Sequence, residues 1–321
     1  MITRIVLVAL AASGLWLANY LFRPFLRLPG PAAMTCLSSE GTYRPLGKPG
    51  TVYGLGLSYA GHIAESPGLY DADAGPPVFV KGPRTLLAGE TLPYPTRADL
   101  LAAASELDPV HAAALGQDAD TIPTLLDYEV EVGLLLLDDV DVTSLDDPSF
   151  IPPLGYFVAN DITARILLAM APDVGQTVDY LVAGKNMAGF LAVGERAWVP
   201  ADPAPDAGPC VDLVTTVNGE RRQDSNFADI IVTPKEILRI VSQRLDLARF
   251  AAGDWIITGT PPGVAAQVPA WQQRLMVLVD PPASVKLRLM SRADASGRYL
   301  KPGDTVVVSA GHLGARTVRV R

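Results

Sequence analysis

Short runs in which apolar residues alternate with polar ones, or stand together for a few positions, dominate the chain after Thr51. They read TVYGLGLSY from Thr51, PVFVKG from Pro77, YEVEVGLLLL from Tyr128, GYFVAND from Gly155, VDLVTTVNGE from Val211, DWIITGT from Asp254, RLMVLVD from Arg274, TVVVSA from Thr305 and ARTVRV from Ala315. Their period, length and β-branched content predict strands. Helical spacing is confined to residues 97–116, interrupted by Pro109, and to residues 161–172 and 234–250. Strands outnumber helices and do not alternate with them, which predicts an α+β, mainly β domain rather than a doubly wound parallel sheet.

Ahead of this pattern, residues 5–22 form an 18-residue run without a charge, bounded by Arg4 and by Arg23 and Arg27, with Trp16 and Tyr20 near its far end. As a helix it spans about 27 Å. Residues 1–23 are therefore expected to be an N-terminal transmembrane helix, a membrane anchor or signal-like segment. The rival, a cleaved signal peptide, lacks an A-x-A site shortly after the run. Residues 24–50 carry Pro24, Pro29, Pro31, Pro45 and Pro49 with several Gly, and read as a linker. The expected location is membrane-anchored; the side is open, with the cytoplasmic side slightly favoured by Arg44 and Lys48. A folded domain is assigned to residues 51–321.

Composition narrows the chemistry. Lys plus Arg number 26 against 34 Asp plus Glu, a net charge of −8, which argues against a nucleic-acid partner. The 49% hydrophobic content is ample for a core. Two Cys, at 36 and 210, make neither a disulfide framework nor a thiolate zinc site and read as structural or incidental; with only three His, any metal is expected to be a hard ion on carboxylates.

The most informative stretch is Leu126–Val132. On a strand, Asp127, Glu129 and Glu131 share one face, and the GLLLL that follows is too apolar for an open surface. Clustered carboxylates repel and lose hydration, penalties that a divalent cation removes; a solvated edge strand is the alternative. Asp161, after GYFVAN, suits a ligand or a helix cap. His62 and Glu65, spaced i, i+3, suit a water-activating pair or a surface pair on a short turn that Pro67 ends and that could close as a lid. Residues 255–264, WIITGTPPGV, read as a buried strand entering a tight turn whose amides and Thr260 hydroxyl could meet a ligand.

Taken in order, SYAGHIAE, LDYEVEVG, ANDITAR, AGKNMAGF, VNGERRQ, ITGTPPGV and LKPGDTVVV resemble the motifs of the fumarylacetoacetate hydrolase family, catalytic-domain type. The resemblance implies a mixed β-roll, usually a homodimer, with Mg²⁺ (or Mn²⁺ or Ca²⁺) held by Glu129, Glu131 and Asp161. It implies His62, Glu65 and Lys185 as catalytic, and Thr260, Gln223 and Arg165 as substrate-binding. The implied activity is metal-dependent hydrolysis of a carbon–carbon bond in a 1,3-dicarbonyl or acylpyruvate, a small-molecule substrate. Decarboxylation or isomerisation of a 2-oxo acid on the same site, or a membrane-tethered non-catalytic ligand-binding relative, are the alternatives. The chain departs from the pattern where Ile166, Leu167 and Leu168 replace a polar edge after Arg165, and where Met187 and Ala188 follow the Lys185 segment. Further departures are insertions near 96–124 and 265–299 and the apolar N-terminus.

Overall fold

The computed structural model describes residues 28–65, 75–118, 122–267, 270–293 and 296–321. A larger sheet is built in the order Gly41–Pro45, Arg196–Pro200, Leu154–Asp161, Val130–Leu136, Trp255–Ile257, Val52–Leu55, Val78–Lys81, with Leu191–Val193 also paired to Leu154–Asp161. Its pairs are antiparallel except Trp255–Ile257 with Val52–Leu55. A second sheet runs Glu220–Asn226, Asp212–Val217, Thr305–Ala310, Ala315–Val320, Thr91–Leu92. The hairpin joining its first two strands turns at Asn218 and Gly219, both at positive φ (51° and 84°), as a two-residue type I′ turn demands.

Side-chain parity decides what the larger sheet buries. Val130, Val132, Leu134 and Leu136 point into the main core, which they share with Val306, Val308 and Val318 of the second sheet. Leu135 points the other way and packs with Phe79, Phe157, Trp255 and Ile257 in a separate apolar cluster. Gly133 lies on that second face, where a Cβ would meet the Phe157 ring at 2.2 Å. Both faces of the strand Val130–Leu136 are therefore buried, and its apolar run is continuous because it is covered twice.

The α+β, mainly β expectation matches this architecture, but its membrane part is corrected. Residues 5–22 lie outside the described residues, and among the described residues no helix is long and apolar enough to cross a membrane. Neither a transmembrane helix nor a membrane-anchored location stands as part of this fold. From residue 28 onward the segment read as a linker is partly woven into the domain. Gly41–Pro45 forms an edge strand on Arg196–Pro200, and Thr35–Cys36 pairs with Ala207–Gly208. There Cys36 and Cys210 form a disulfide with Cα atoms 5.3 Å apart, so of the two readings, structural or incidental, the structural one holds, through a pairing that was not expected. A sequence separation of 174 residues hid the pairing.

Three further elements differ from expectation. RLMVLVD is the second half of the helix Ala270–Val279; Trp271, Leu275 and Leu278 recur at helical spacing, and a short apolar run alone does not distinguish the two states. The helix expected at 161–172 shrinks to Ile166–Met170, because Asn160 and Asp161 pair with Ala192 and Leu191 and extend the sheet. The helix from Pro234 has a Thr233/Glu236 capping box but stops at Leu245, where Asp246 turns left-handed (φ 51°). Thr177–Lys185 is a helix that periodicity missed, since Val178, Tyr180, Leu181 and Val182 give it no single apolar stripe. The inserted stretches fold as helical pairs, Arg97–Ser105 with Pro109–Asp118 and Ala270–Val279 with Ala283–Ala293.

Candidate active site

The face that carries Leu135 and Phe157 ends in charge. Continuing the same parity, Glu131 lies beyond Gly133 on one strand with Glu129 just before that strand begins, Asp161 follows Ala159 and Phe157 on its neighbour, and Lys81 follows Phe79 at the sheet edge. Register brings them together: Glu131 pairs with Ala159, and the Asp161 amide donates to Glu129 O at 3.0 Å. Carboxylate oxygens of Glu129, Glu131 and Asp161 lie within 4.8 Å of one another, and all three residues are buried.

Cations divide unequally among these acids. Lys185 Nζ donates to Glu129 Oε2 (2.7 Å), Asp161 Oδ2 (2.7 Å) and Thr163 Oγ1 (3.0 Å). Arg165 bridges Asp127 Oδ2 (2.8 Å) and Glu129 Oε1 (2.6 Å). Lys81 Nζ donates to Asp161 Oδ1 and to the Lys185 carbonyl (2.6 Å). Glu131 accepts from the Gly259 amide at 2.8 Å and has no ion-pair partner among the described residues.

The titration behaviour follows the same division. Burial works to raise the Glu129 carboxyl, but Lys185 and Arg165 outweigh it and hold the group down at about 2. Burial pushes Glu131 well above the usual carboxylate range, and the nearby Asp161 and Glu129 charges add to the rise. Burial lowers Lys81 despite Asp161, whereas Asp161 and Glu129 overcome the burial of Lys185 and raise it.

The helical turn Ala60–Glu65 brings His62 to the same cavity, with Nδ1 3.3 Å from Glu65 Oε2. Glu65 is fixed in turn by the Gly263 amide (2.9 Å) and Gln267 Nε2 (3.1 Å). Pro67, on which the idea of a closing lid rested, lies outside the described residues. Gly259 adopts φ 89° and sits so close to the Ser58 hydroxyl and the Leu55 carbonyl that a Cβ would clash with both, leaving its amide aimed at Glu131.

Two expectations about donors change. The amides of Gly259 and Gly263 are spent on Glu131 and Glu65, so they are not free for a substrate oxyanion. Gln223 does not line the cavity: its Oε1 accepts from Val130 N (3.0 Å) and Thr215 Oγ1 (2.7 Å), and its Nε2 donates to Thr260 Oγ1 (2.8 Å) and Pro261 O (3.0 Å). It braces the turn instead. Thr260 lines the cavity but directs its own proton to Val130 O at 3.0 Å.

Lys81 and Thr163 escaped the sequence reading, and Asp127, which alternation placed beside Glu129 and Glu131, was given no role of its own. Lys81 stood in PVFVKG two places after Phe79, where a lysine on an apolar face is itself the signal. Asp127 belongs to the carboxylate face but works as a clamp, accepting from Arg165, Tyr128 N (2.9 Å) and Ala265 N (2.7 Å). Thr163 binds Lys185 and donates to Glu129 Oε1 at 3.2 Å.

The cavity, about 630 Å³ with its open mouth included, has Glu129, Lys185, Arg165, His62 and Thr260 among its lining. Three buried carboxylates, one of them without a cation, are a hard oxygen donor set that fits a divalent ion such as Mg²⁺, Mn²⁺ or Ca²⁺.

A mixed β-fold that sets a buried carboxylate triad with two lysines, beside a cavity lined by Glu129, Lys185 and His62, defines a candidate cation site. Residues 51–321 match the family described as fumarylacetoacetate (FAA) hydrolase, C-terminal, and the chain belongs to that family. Among curated relatives, uncharacterized proteins of Staphylococcus epidermidis and Staphylococcus aureus are 29% identical over 220 residues and 28% identical over 219, each across 65% of this chain. The chain spans 58% and 59% of their lengths. Among solved structures, the fumarylacetoacetate hydrolase of Exiguobacterium antarcticum is similar at TM-score 0.51 and 25% identity, over 85% of this chain and 76% of that one. Fumarylpyruvate hydrolase of Pseudomonas aeruginosa, in complex with Mn²⁺ and pyruvate, shares the fold at TM-score 0.52 and 19% identity, over 93% and 99%. A probable 2-hydroxyhepta-2,4-diene-1,7-dioate isomerase of Mycobacterium abscessus does so at TM-score 0.54 and 24% identity, over 87% and 78%.

Proposed function

We propose that the protein is a metal-dependent hydrolase of a carbon–carbon bond in an acylpyruvate or related 1,3-dicarbonyl compound. The observation that carries this reading is a buried Glu129, Glu131 and Asp161 triad whose Glu129 lines the same cavity as His62, itself 3.3 Å from Glu65. Mg²⁺ or Mn²⁺ held by the three carboxylates would polarise the substrate carbonyls and offset the negative charge of the leaving enolate.

The chain's own residues supply the rest. With His62 Nδ1 donating to Glu65, Nε2 is the acceptor that takes the proton of water as it attacks the acyl carbonyl. Glu65, tied to the Gly263 amide, keeps the imidazole in that tautomer and orientation. Lys185 and Arg165 hold Glu129 ionised, ready to share in holding the cation that a 2-oxo acid carboxylate would meet. His62 then returns its proton to the carbon that leaves, and an acid and a 2-oxo acid are released.

The test is acetylpyruvate turnover by the full chain in Mg²⁺ or EDTA, beside His62→Ala. Cleavage that requires the cation and falls about 10²- to 10⁴-fold in His62→Ala, with Mn²⁺ affinity unchanged, is the expected result. An unchanged rate in the variant removes the pair from the mechanism; equal rates in EDTA remove the ion.

A further inference from the structure

The charged groups of the cavity occupy one end of it, and the rest of the wall is apolar. Leu57, Val78 and Phe79 form one side, and Val178, Leu181 and Val182 form the other. The second side is a single helix face. Val178, Leu181 or Val182, and Lys185 recur at helical spacing on Thr177–Lys185, so the face climbs about 10 Å from the ammonium at the floor to Val178 near the mouth. Val178 is 41% exposed, an apolar side chain left open beside an apolar wall.

The cations of the site are committed to the floor. Lys185 has three acceptors within 3.0 Å, and Arg165 holds Asp127 and Glu129. Lys81 is buried on Asp161 and lies outside the lining. Among the described lining residues, no Lys or Arg faces the outer wall. A carboxylate carried there would be dehydrated without a partner. Leu57 adds an independent sign: it is a bulky residue held at φ 52°, in the left-handed region that glycine fills at little cost. Conformational cost at a cavity wall is characteristic of ligand-shaping positions.

We infer that this enzyme takes a substrate whose acyl arm is an uncharged, apolar chain lying along Val178, Leu181 and Val182, in place of an arm ending in a second carboxylate. The inference rests on the 2-oxo acid reading of the site proposed above. The departure at Ile166 and Leu167 agrees with it: these side chains turn into the core, and no polar edge replaces them in the cavity.

Calorimetric titration of the full chain, with Mn²⁺ present, tests the inference without turnover. The probes are pyruvate, 2-oxobutanoate, 2-oxohexanoate, 2-oxooctanoate and 2-oxoadipate. Affinity is expected to rise up to about fourfold per added methylene along the monocarboxylates, as burial of each methylene predicts. 2-Oxohexanoate is expected to bind at least about tenfold more tightly than 2-oxoadipate, which places a carboxylate against the same wall. Leu181→Arg is expected to reverse that order, and Val178→Arg, at a more exposed position, to do so more weakly; Mn²⁺ affinity reports that each variant is folded. A flat monocarboxylate series, or 2-oxoadipate binding tightest, overturns the apolar arm while leaving the 2-oxo acid reading in place. Failure of every probe to bind, with Mn²⁺ still bound, overturns both.

Discussion

Glu129, just before the strand Val130–Leu136, and Glu131, on it, stand two residues apart and live in opposite surroundings. The Glu129 half of the site is saturated: Lys185, Arg165 and Thr163 all donate to it. The Glu131 half offers one backbone amide and the repulsion of two neighbouring acids. Equal burial of equal side chains thus yields one carboxylate held near 2 and one raised well above its usual range. The lesson is that a buried acidic cluster is not a uniform object. Its protein-supplied cations stabilise one member, and the member left over marks where an outside cation is wanted.

The largest expected effect that could break this comparison is on the saturated side. Glu129→Gln leaves Lys185 and Arg165 facing a neutral group, and urea unfolding in EDTA is expected to show a loss of about 3–5 kcal/mol; a loss under about 1 kcal/mol would mean that the pairings contribute little. Next is the response to an ion. Mn²⁺ at about 100 times its Kd is expected to stabilise the wild-type protein by about 2.7 kcal/mol and to give Glu131→Gln little or none of that gain. An equal gain in both would take Glu131 out of the cation site.

Lys81→Met sharpens the boundary between the halves, since Asp161 keeps Lys185 but loses its second cation. The expected cost is about 2 kcal/mol by the same unfolding measurement, smaller than for Glu129→Gln. The smallest effect is that of Glu131→Gln in EDTA, within about 1 kcal/mol of wild type near pH 5, because the folded protein keeps that carboxyl protonated and Gln is a neutral group of the same shape.

The pH dependence separates the two carboxylates by sign. The lowered Glu129 contributes stability that is present above the unfolded value near 4.5 and is lost as pH falls toward 2. Glu131 is raised, so the folded state keeps a proton that the unfolded state has released. In EDTA its contribution is present at low pH and declines as pH rises above 4.5. Unfolding free energies of wild type and Glu131→Gln measured from pH 5 upward are expected to diverge, with the steeper downward slope in the wild type; parallel curves would contradict the raised carboxyl.

Much of this site was legible in the sequence, and the illegible part has identifiable causes. Alternation alone aligned Glu129 with Glu131, and the apolar run behind them announced that they were buried. Asp161 was recognisable as a candidate, but only pairing with Leu191 and Ala159's neighbours across the sheet brings it to Glu129, a relation no local spacing encodes. The same holds for Lys81, whose strand lies at the far edge of the sheet order yet whose long side chain returns to Asp161. Gln223 was expected to bind substrate, but its place as a brace of the turn depends on where four hydrogen bonds go. The helices Thr177–Lys185 and Ala270–Val279 were missed or misread because apolar residues on several sides of a short helix leave no clean period.

The bond between Cys36 and Cys210 gives the molecule a covalent topology that its sheets do not reveal. It closes a ring containing His62, Lys81, Glu129, Glu131, Asp161, Arg165 and Lys185, while Gly259 and Thr260 enter from the open arm beyond it. In the chain-entropy description, closing a loop with a separation of 174 residues disfavours the unfolded ensemble by about 5 kcal/mol. A single backbone cut inside that ring would leave its pieces joined, so the fragments carrying the two lysines and the three acids would separate only after reduction.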